Sequence, residues 1–303
     1  LNPYAADPHW GAYIFAYFFL GGLAAGATAA ASLVDLVGDP DDRRAVAVAH
    51  YLAIPLLLAC GALLIVDLNR PDRFWHMLIA SETGRPMFKW WSPMSVGSWA
   101  LSAFGAFATL AFLGTAAADG RLGTGRAPRA LARLRSGLPG RLVALGGVAT
   151  GLFLGAYTGA LLTATNQPIW ADSTWIAPLF LASSFSTGLS AIILLHPLRR
   201  PASPAALLDR LERADAWALA LEFLALAAFV LSIGPLATRA LGRWPGSLIP
   251  LVVVPFGLVL PLLLKRIPGH LGSRPGAWLA LLGGLALRYA VLGLPAAFRA
   301  STH

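Results

Sequence analysis

GAYIFAYFFLGGLAAGATAAASL, residues 11–33, contains no charged side chain. A helix rises 1.5 Å per residue, so about 20 such residues cross a hydrocarbon layer about 30 Å thick. The run is therefore long enough to span a bilayer. Seven more apolar runs follow it, at 46–66, 95–118, 142–165, 175–195, 216–236, 247–264 and 277–294. The composition agrees, since 57% of residues are apolar and only 12% are charged, where a soluble domain carries roughly 25%. Together these features predict an all-α integral membrane protein with eight transmembrane helices. The seventh run contains Pro250, Pro255 and Pro261, so an irregular but packed span is expected there. No cleavable signal peptide is read in the first run, which lacks a basic flank.

Eight spans leave both termini on one side, together with the loops 67–94, 166–174 and 237–246. Arg70, Arg73, Arg85, Lys89, Arg239, Arg243 and Arg299 lie on that side. The opposite side carries Arg43 and Arg44, the cluster Arg121, Arg126, Arg129, Arg133, Arg135 and Arg141, then Arg199, Arg200, Arg210, Arg213, Lys265, Arg266 and Arg274. Fifteen cations against seven place the second group in the cytoplasm and both termini outside it. The formal charge of +9 thus anchors inner loops against anionic membrane lipid. The basic loop 119–141 sits between two spans, so no nucleic-acid partner is expected.

No HExxH, paired CxxC, P-loop or GxSxG pattern occurs, and the single cysteine, Cys60, supports neither a disulfide nor an iron–sulfur cluster. His50 and His196 both fall at inner span ends, too shallow for the axial ligands of a haem, so neither haem nor metal is expected. The loop 67–94 is long for a connector and rich in aromatics and in charges of both signs, including Asp67, Arg70, His76 and Trp90. It reads as a platform for a partner or ligand. Near the same outer face lie Tyr13 and Tyr17 of the first span, Tyr157, Thr158 and Asn166 of the fourth, and Arg288 and Tyr289 of the eighth. An apolar pocket topped by tyrosine hydroxyls and a carboxylate suits a quinone, whose ring packs among aromatics and whose oxygens take hydrogen bonds. At the inner half, Glu222, His50 and Asp119 are candidates for a proton path, because ionisable groups at membrane depth are costly unless they serve or pair. Two other classes stay open: a secondary transporter, which the broken seventh span permits, and a purely structural membrane anchor.

Three patterns resemble the NrfD family, the membrane subunits of polysulfide-reductase-type molybdoenzyme complexes. They are FLGGLAAG (19–26), VDLNRPDRFWHML (66–78) with SPMSVGSW (92–99), and GAYTGALL (155–162). The resemblance implies two four-helix bundles. The first takes residues 1–141, with the partner-binding loop 67–94, and is completed by the fourth helix at 142–165; the second takes 166–303. It implies a menaquinone or ubiquinone site near the outer face and no haem or metal in the chain. Electrons would pass to a docked ferredoxin-like iron–sulfur subunit and on to a molybdopterin catalytic subunit, at the cytoplasmic (inner) membrane of a bacterium or archaeon. Tyr157 matches the family's quinone-site tyrosine, and Tyr17 stands where the polysulfide reductase branch has a histidine. Asp67 would exchange protons with the quinol, Arg70 would hold the loop, and Glu222 with His50 or Asp119 would form an inner half-channel.

Overall fold

A computed structural model describes residues 10–68, 70–195, 205–267 and 271–299. Among the described residues, seven helices are long and apolar enough to cross a membrane, and an eighth apolar helical segment, Ile249–Leu264, is shorter. In chain order they are α1 (Ala12–Val37), α2 (Pro40–Asp67), α3 (Pro93–Ala118), a short basic α4 (Arg126–Ala132), α5 (Gly137–Thr163), α6 (Ile176–Leu195), α7 (Ala205–Ser232), a short α8 (Leu236–Leu241), a π-helix (Ile249–Val259) continued by α9 (Leu260–Leu264), and α10 (Ser273–Arg299). The predicted spans all recur as helix, with ends displaced by a few residues. The largest difference is α7, which starts at Ala205 rather than 216. Its charged first turns are joined to other helices: Arg210 makes two contacts of 2.7 and 2.8 Å to the buried Asp42 of α2.

Local chemistry sets several helix starts. Pro40 occupies the first turn of α2 and is followed by Asp41 and Asp42, which complement the positive end of the helix dipole. Ser92 caps α3 by accepting the amide of Ser95 at 3.4 Å, with Pro93 at the first helical position. The π-helix coincides with the proline run. A proline ring clashes with the carbonyl four residues before it, and the wider coil moves that carbonyl aside. Leu260 accordingly donates to the carbonyl of Pro255, five residues back.

Packing follows residue size. The apolar window of α1 is 72% buried, against 22% for α2, so α1 is central and α2 faces lipid. α1 packs on α2, α5 and α6, while α6 also packs on α5, α7 and α10. Lipid supplies no hydrophobic drive between helices, so close contact relies on small side chains. Gly26 of α1 lies directly on the Ser184 backbone of α6, and Gly188 of α6 lies on the backbone of Gly26 and Ala27. A methyl group at either position would overlap the facing main chain. Gly257 of the π-helix and Gly283 of α10 meet in the same way.

Candidate functional site

The end of the bundle where α1 begins and α10 ends is stitched together by aromatic and polar contacts. Trp10 stacks on Trp170 at 5.2 Å, Trp170 donates to the carbonyl of Val291 at 2.7 Å, and Arg299 reaches Gln167 at 2.9 Å. Beneath this rim lie two buried tyrosines. Tyr157 of α5 lies across α3 at Gly97, where a Cβ would overlap its hydroxyl and sit 2.6 Å from Cε1. Its hydroxyl donates to the Pro93 carbonyl at 2.6 Å, and Phe153 stacks on its ring at 6.1 Å.

Tyr17 of α1 is 5% exposed, and the Cys60 thiol reaches its carbonyl at 4.0 Å. The Tyr17 ring and the Cys60 sulfur both lie against Gly21, and Tyr157 is near enough that a charge on either tyrosine would be felt at the other. Among the described residues the Tyr17 hydroxyl has no hydrogen-bond partner. The two hydroxyls therefore differ in capacity. Tyr157 has committed its proton and retains only acceptor lone pairs, while Tyr17 is free to donate or accept.

The other candidates of this end divide by depth. Thr158 is fully buried and turns back to the Gly155 carbonyl at 3.2 Å. Tyr13, Asp67, Arg70, Trp90 and Asn166 are exposed, and His76 is half-buried, edge-on to Trp75 at 3.9 Å. Asp67 is the last residue of α2 and has no partner among the described residues. Arg70 faces Asp72 at 3.7 Å.

The loop itself is ordered by its own bonds. Pro71–Met77 forms a 3-10 helix, Ile79 and Pro86 pair in an antiparallel bridge, and the Trp99 indole donates to the carbonyl of Met87 at 3.0 Å. Phe74, Phe88, Trp90 and Trp91 remain exposed on it.

The residues expected to form one inner path fall into separate groups. His50 contacts Asp35 at 2.8 Å, and the other oxygen of Asp35 accepts from Arg135 at 2.6 Å. Asp119 accepts from Tyr51 at 2.7 Å, with Arg121 over the tyrosine ring. Glu222 sits elsewhere, near Ser183 of α6 and in electrostatic reach of Arg288 of α10. Arg288 is fully buried. It donates to Ser183 and Ser184, each at 2.9 Å, and to the Gly284 carbonyl at 3.1 Å. Its guanidinium fills the space left by the absent side chain of Gly22.

Further along α6, Ser190 donates to Asp215 at 3.1 Å, and Lys265 turns inward to the same carboxylate at 2.6 Å. A polar seam thus runs along α6 between α7 and α10. Sequence reasoning set Arg288 toward the outer face and Lys265 in an inner loop, so it missed both pairings. The available signal was the hydroxyl spacing of Ser183, Thr187 and Ser190 within an apolar span, which puts all three on one helix face. His196 lies outside the described residues. Among the described residues no three potential metal ligands converge.

A family model described as polysulphide reductase, NrfD, matches residues 4–298. The C subunit of polysulfide reductase from Wolinella succinogenes is 30% identical over 194 residues, which is 62% of this chain and 57% of that protein. That similarity takes in little more than half of the relative's length, whereas the family match reaches from ahead of α1 to the last turn of α10. On that extent, the chain belongs to the NrfD polysulphide reductase family.

Proposed function

We propose that this chain is the quinone-binding membrane subunit of an oxidoreductase complex. It exchanges electrons between menaquinol or ubiquinol and an extracytoplasmic iron–sulfur subunit, which serves a molybdopterin catalytic subunit. The observation that carries this reading is the pair of buried tyrosines with opposite hydrogen-bonding states under the aromatic loop. A quinol presents two ring oxygens, and an acceptor on one side with a free hydroxyl on the other fits that pattern. The quinone, when bound, supplies the two-electron, two-proton chemistry. Tyr157 would hold one ring hydroxyl as an acceptor, because its own proton is engaged by the Pro93 carbonyl. Tyr17 orients the opposite oxygen. Asp67, exposed at the end of α2, passes protons to bulk water.

The exposed Trp90, Trp91, Phe88 and Phe74 suit a docking surface, since aromatic side chains are enriched in protein interfaces. Packing of α2 and α5 on both α1 and α3, and of α7 and α10 on both α6 and the π-helix, accords with two four-helix bundles, residues 1–165 and 166–303, which meet where α6 packs on α1 and α5. The Lys and Arg distribution favours the inner membrane with both termini extracytoplasmic. Proton translocation would then use Glu222 on the α6 seam, with His50 and Asp119 at the inner end.

The test is quinol-dependent reduction of the iron–sulfur partner in the copurified complex. Tyr17→Phe removes the unpartnered hydroxyl without altering packing, and is expected to lower turnover by roughly 10²-fold. Tyr157→Phe is expected to lower it as well. Wild-type turnover in both variants would overturn the site.

A further inference from the structure

At the end of the bundle opposite Tyr17 and Tyr157, the backbone leading into α5 closes over α1 and leaves a cavity of about 120 Å³. A single water needs about 10–15 Å³ on the same measure, so the space admits a group of several heavy atoms. Its rim is exposed at Ser136, Gly137 and Arg141, and its floor is buried at Ser32 and Ala144. Arg43, Arg135 and Arg141 border it against a single carboxylate, Asp35. Arg135 is shared with Asp35 and with Thr115 at 2.9 Å, and Arg43 gives its Nε to the Gly38 carbonyl at 3.1 Å. Arg141 has no partner among the described residues. The cavity therefore carries surplus positive charge.

Two independent features add donors at the edge of the same space. The 27-residue α5 starts here, and Ser136 provides no side-chain cap; Pro139 has no N–H and Gly140 donates to the Ser136 carbonyl at 3.1 Å, so the amides of Gly137 and Leu138 and the positive end of the helix dipole are what the helix offers an anion. Ser32 is 1% exposed and lines the cavity, and its hydroxyl, which packs against Gly147 of α5, has no hydrogen-bond partner. A buried hydroxyl left unpaired is unfavourable, and a ligand oxygen would relieve it. Several donors, no competing free carboxylate and room for a tetrahedral group select a phosphate. The source is indicated by what lies beside the rim. Leu138, Leu142 and Leu145 are 70%, 57% and 54% exposed and are spaced four and three apart. They form an apolar stripe that runs from Arg141 along α5 into the hydrocarbon.

We propose that this cavity binds the phosphate of an anionic phospholipid, with its acyl chains along Leu138, Leu142 and Leu145. Basic pockets between membrane helices are suited to such headgroups. The site is separate from the tyrosine pair and holds whether or not that pair binds a quinone.

The experiment follows thermal unfolding of the full chain in detergent, with any subunits that copurify. Phosphatidylglycerol, phosphatidylcholine or inorganic phosphate is titrated in. Phosphatidylglycerol is expected to stabilise the wild type most. Arg43→Gln and Arg141→Gln are each expected to weaken its apparent affinity roughly fivefold, while Arg126→Gln, in the same basic loop but away from the cavity, leaves it unchanged. Arg141→Gln breaks no contact within the described chain, so it keeps the test sound if Arg43→Gln misfolds. Equal stabilisation by inorganic phosphate, lost in Arg141→Gln, would assign the site to a free anion and overturn the lipid. No preference for phosphatidylglycerol over phosphatidylcholine, or an equal loss in Arg126→Gln, would overturn the site altogether.

Discussion

Replacing Gly97 by alanine tests how α3 and α5 together set the position of Tyr157. A methyl group there overlaps the Tyr157 hydroxyl and lies 2.6 Å from Cε1, so the ring must leave. Overpacking of this kind costs about 1–3 kcal/mol. Displacing the hydroxyl also breaks its bond to Pro93, worth about 1 kcal/mol. The sum, about 2–4 kcal/mol, should appear as a lowered unfolding midpoint of the purified chain.

The same displacement removes the acceptor aimed at the quinol, so turnover should fall with stability. Tyr157→Phe separates the two effects, because it keeps the ring and loses only the hydrogen bond. Tyr157→Ala removes the obstacle, so Gly97→Ala should cost little in that background. The coupling between the two sites should approach the whole of that cost, about 2–4 kcal/mol. Additive effects, or a Gly97→Ala chain with unchanged midpoint and unchanged turnover, would refute this account of the site.

Three further outcomes are expected. Lys265→Met leaves Asp215 buried without its cation and should destabilise by about 3–5 kcal/mol, with most of that recovered in Asp215→Asn/Lys265→Met; thermal unfolding of the single and double variants measures it. Trp90→Ala combined with Trp91→Ala should loosen the partner subunit by about 2 kcal/mol, or roughly thirtyfold in Kd, in a pull-down titration. The midpoint of the isolated chain should not move, since these side chains are 75% and 65% exposed. Cys60 is 1% exposed, so a water-soluble maleimide should label it only after denaturation, as mass spectrometry would show.

The spans could be read from the sequence because hydrophobic length is a one-dimensional property, and membrane thickness converts it directly into helices. Their ends were harder to place. Arg210 read as part of a connector between spans, yet α7 already includes it, and its guanidinium meets Asp42 on another helix. The proline run announced an irregular seventh span, but nothing in its spacing specified a π-helix.

Site residues followed the same division. Tyr157 stood out because it lies two turns inside its helix, and depth along a helix can be read from the sequence. Its contact with Gly97, sixty positions earlier, depends on how two helices cross. Glu222 was recognised as a buried carboxylate, but its partners Ser183 and Arg288 lie on two other helices. Depth says that such a charge needs company without naming it.

The coil around Pro255 also affects the surrounding lipid. Ile249–Leu264 comprises 16 residues, about 24 Å even at full α-helical rise, whereas its neighbours are long enough for a hydrocarbon layer of about 30 Å. Leu251, Phe256 and Leu263 point outward from it, so acyl tails meet this shortened wall directly. A short wall draws the two leaflets together. The bilayer is therefore expected to thin on this flank, and short-chain lipids should gather there.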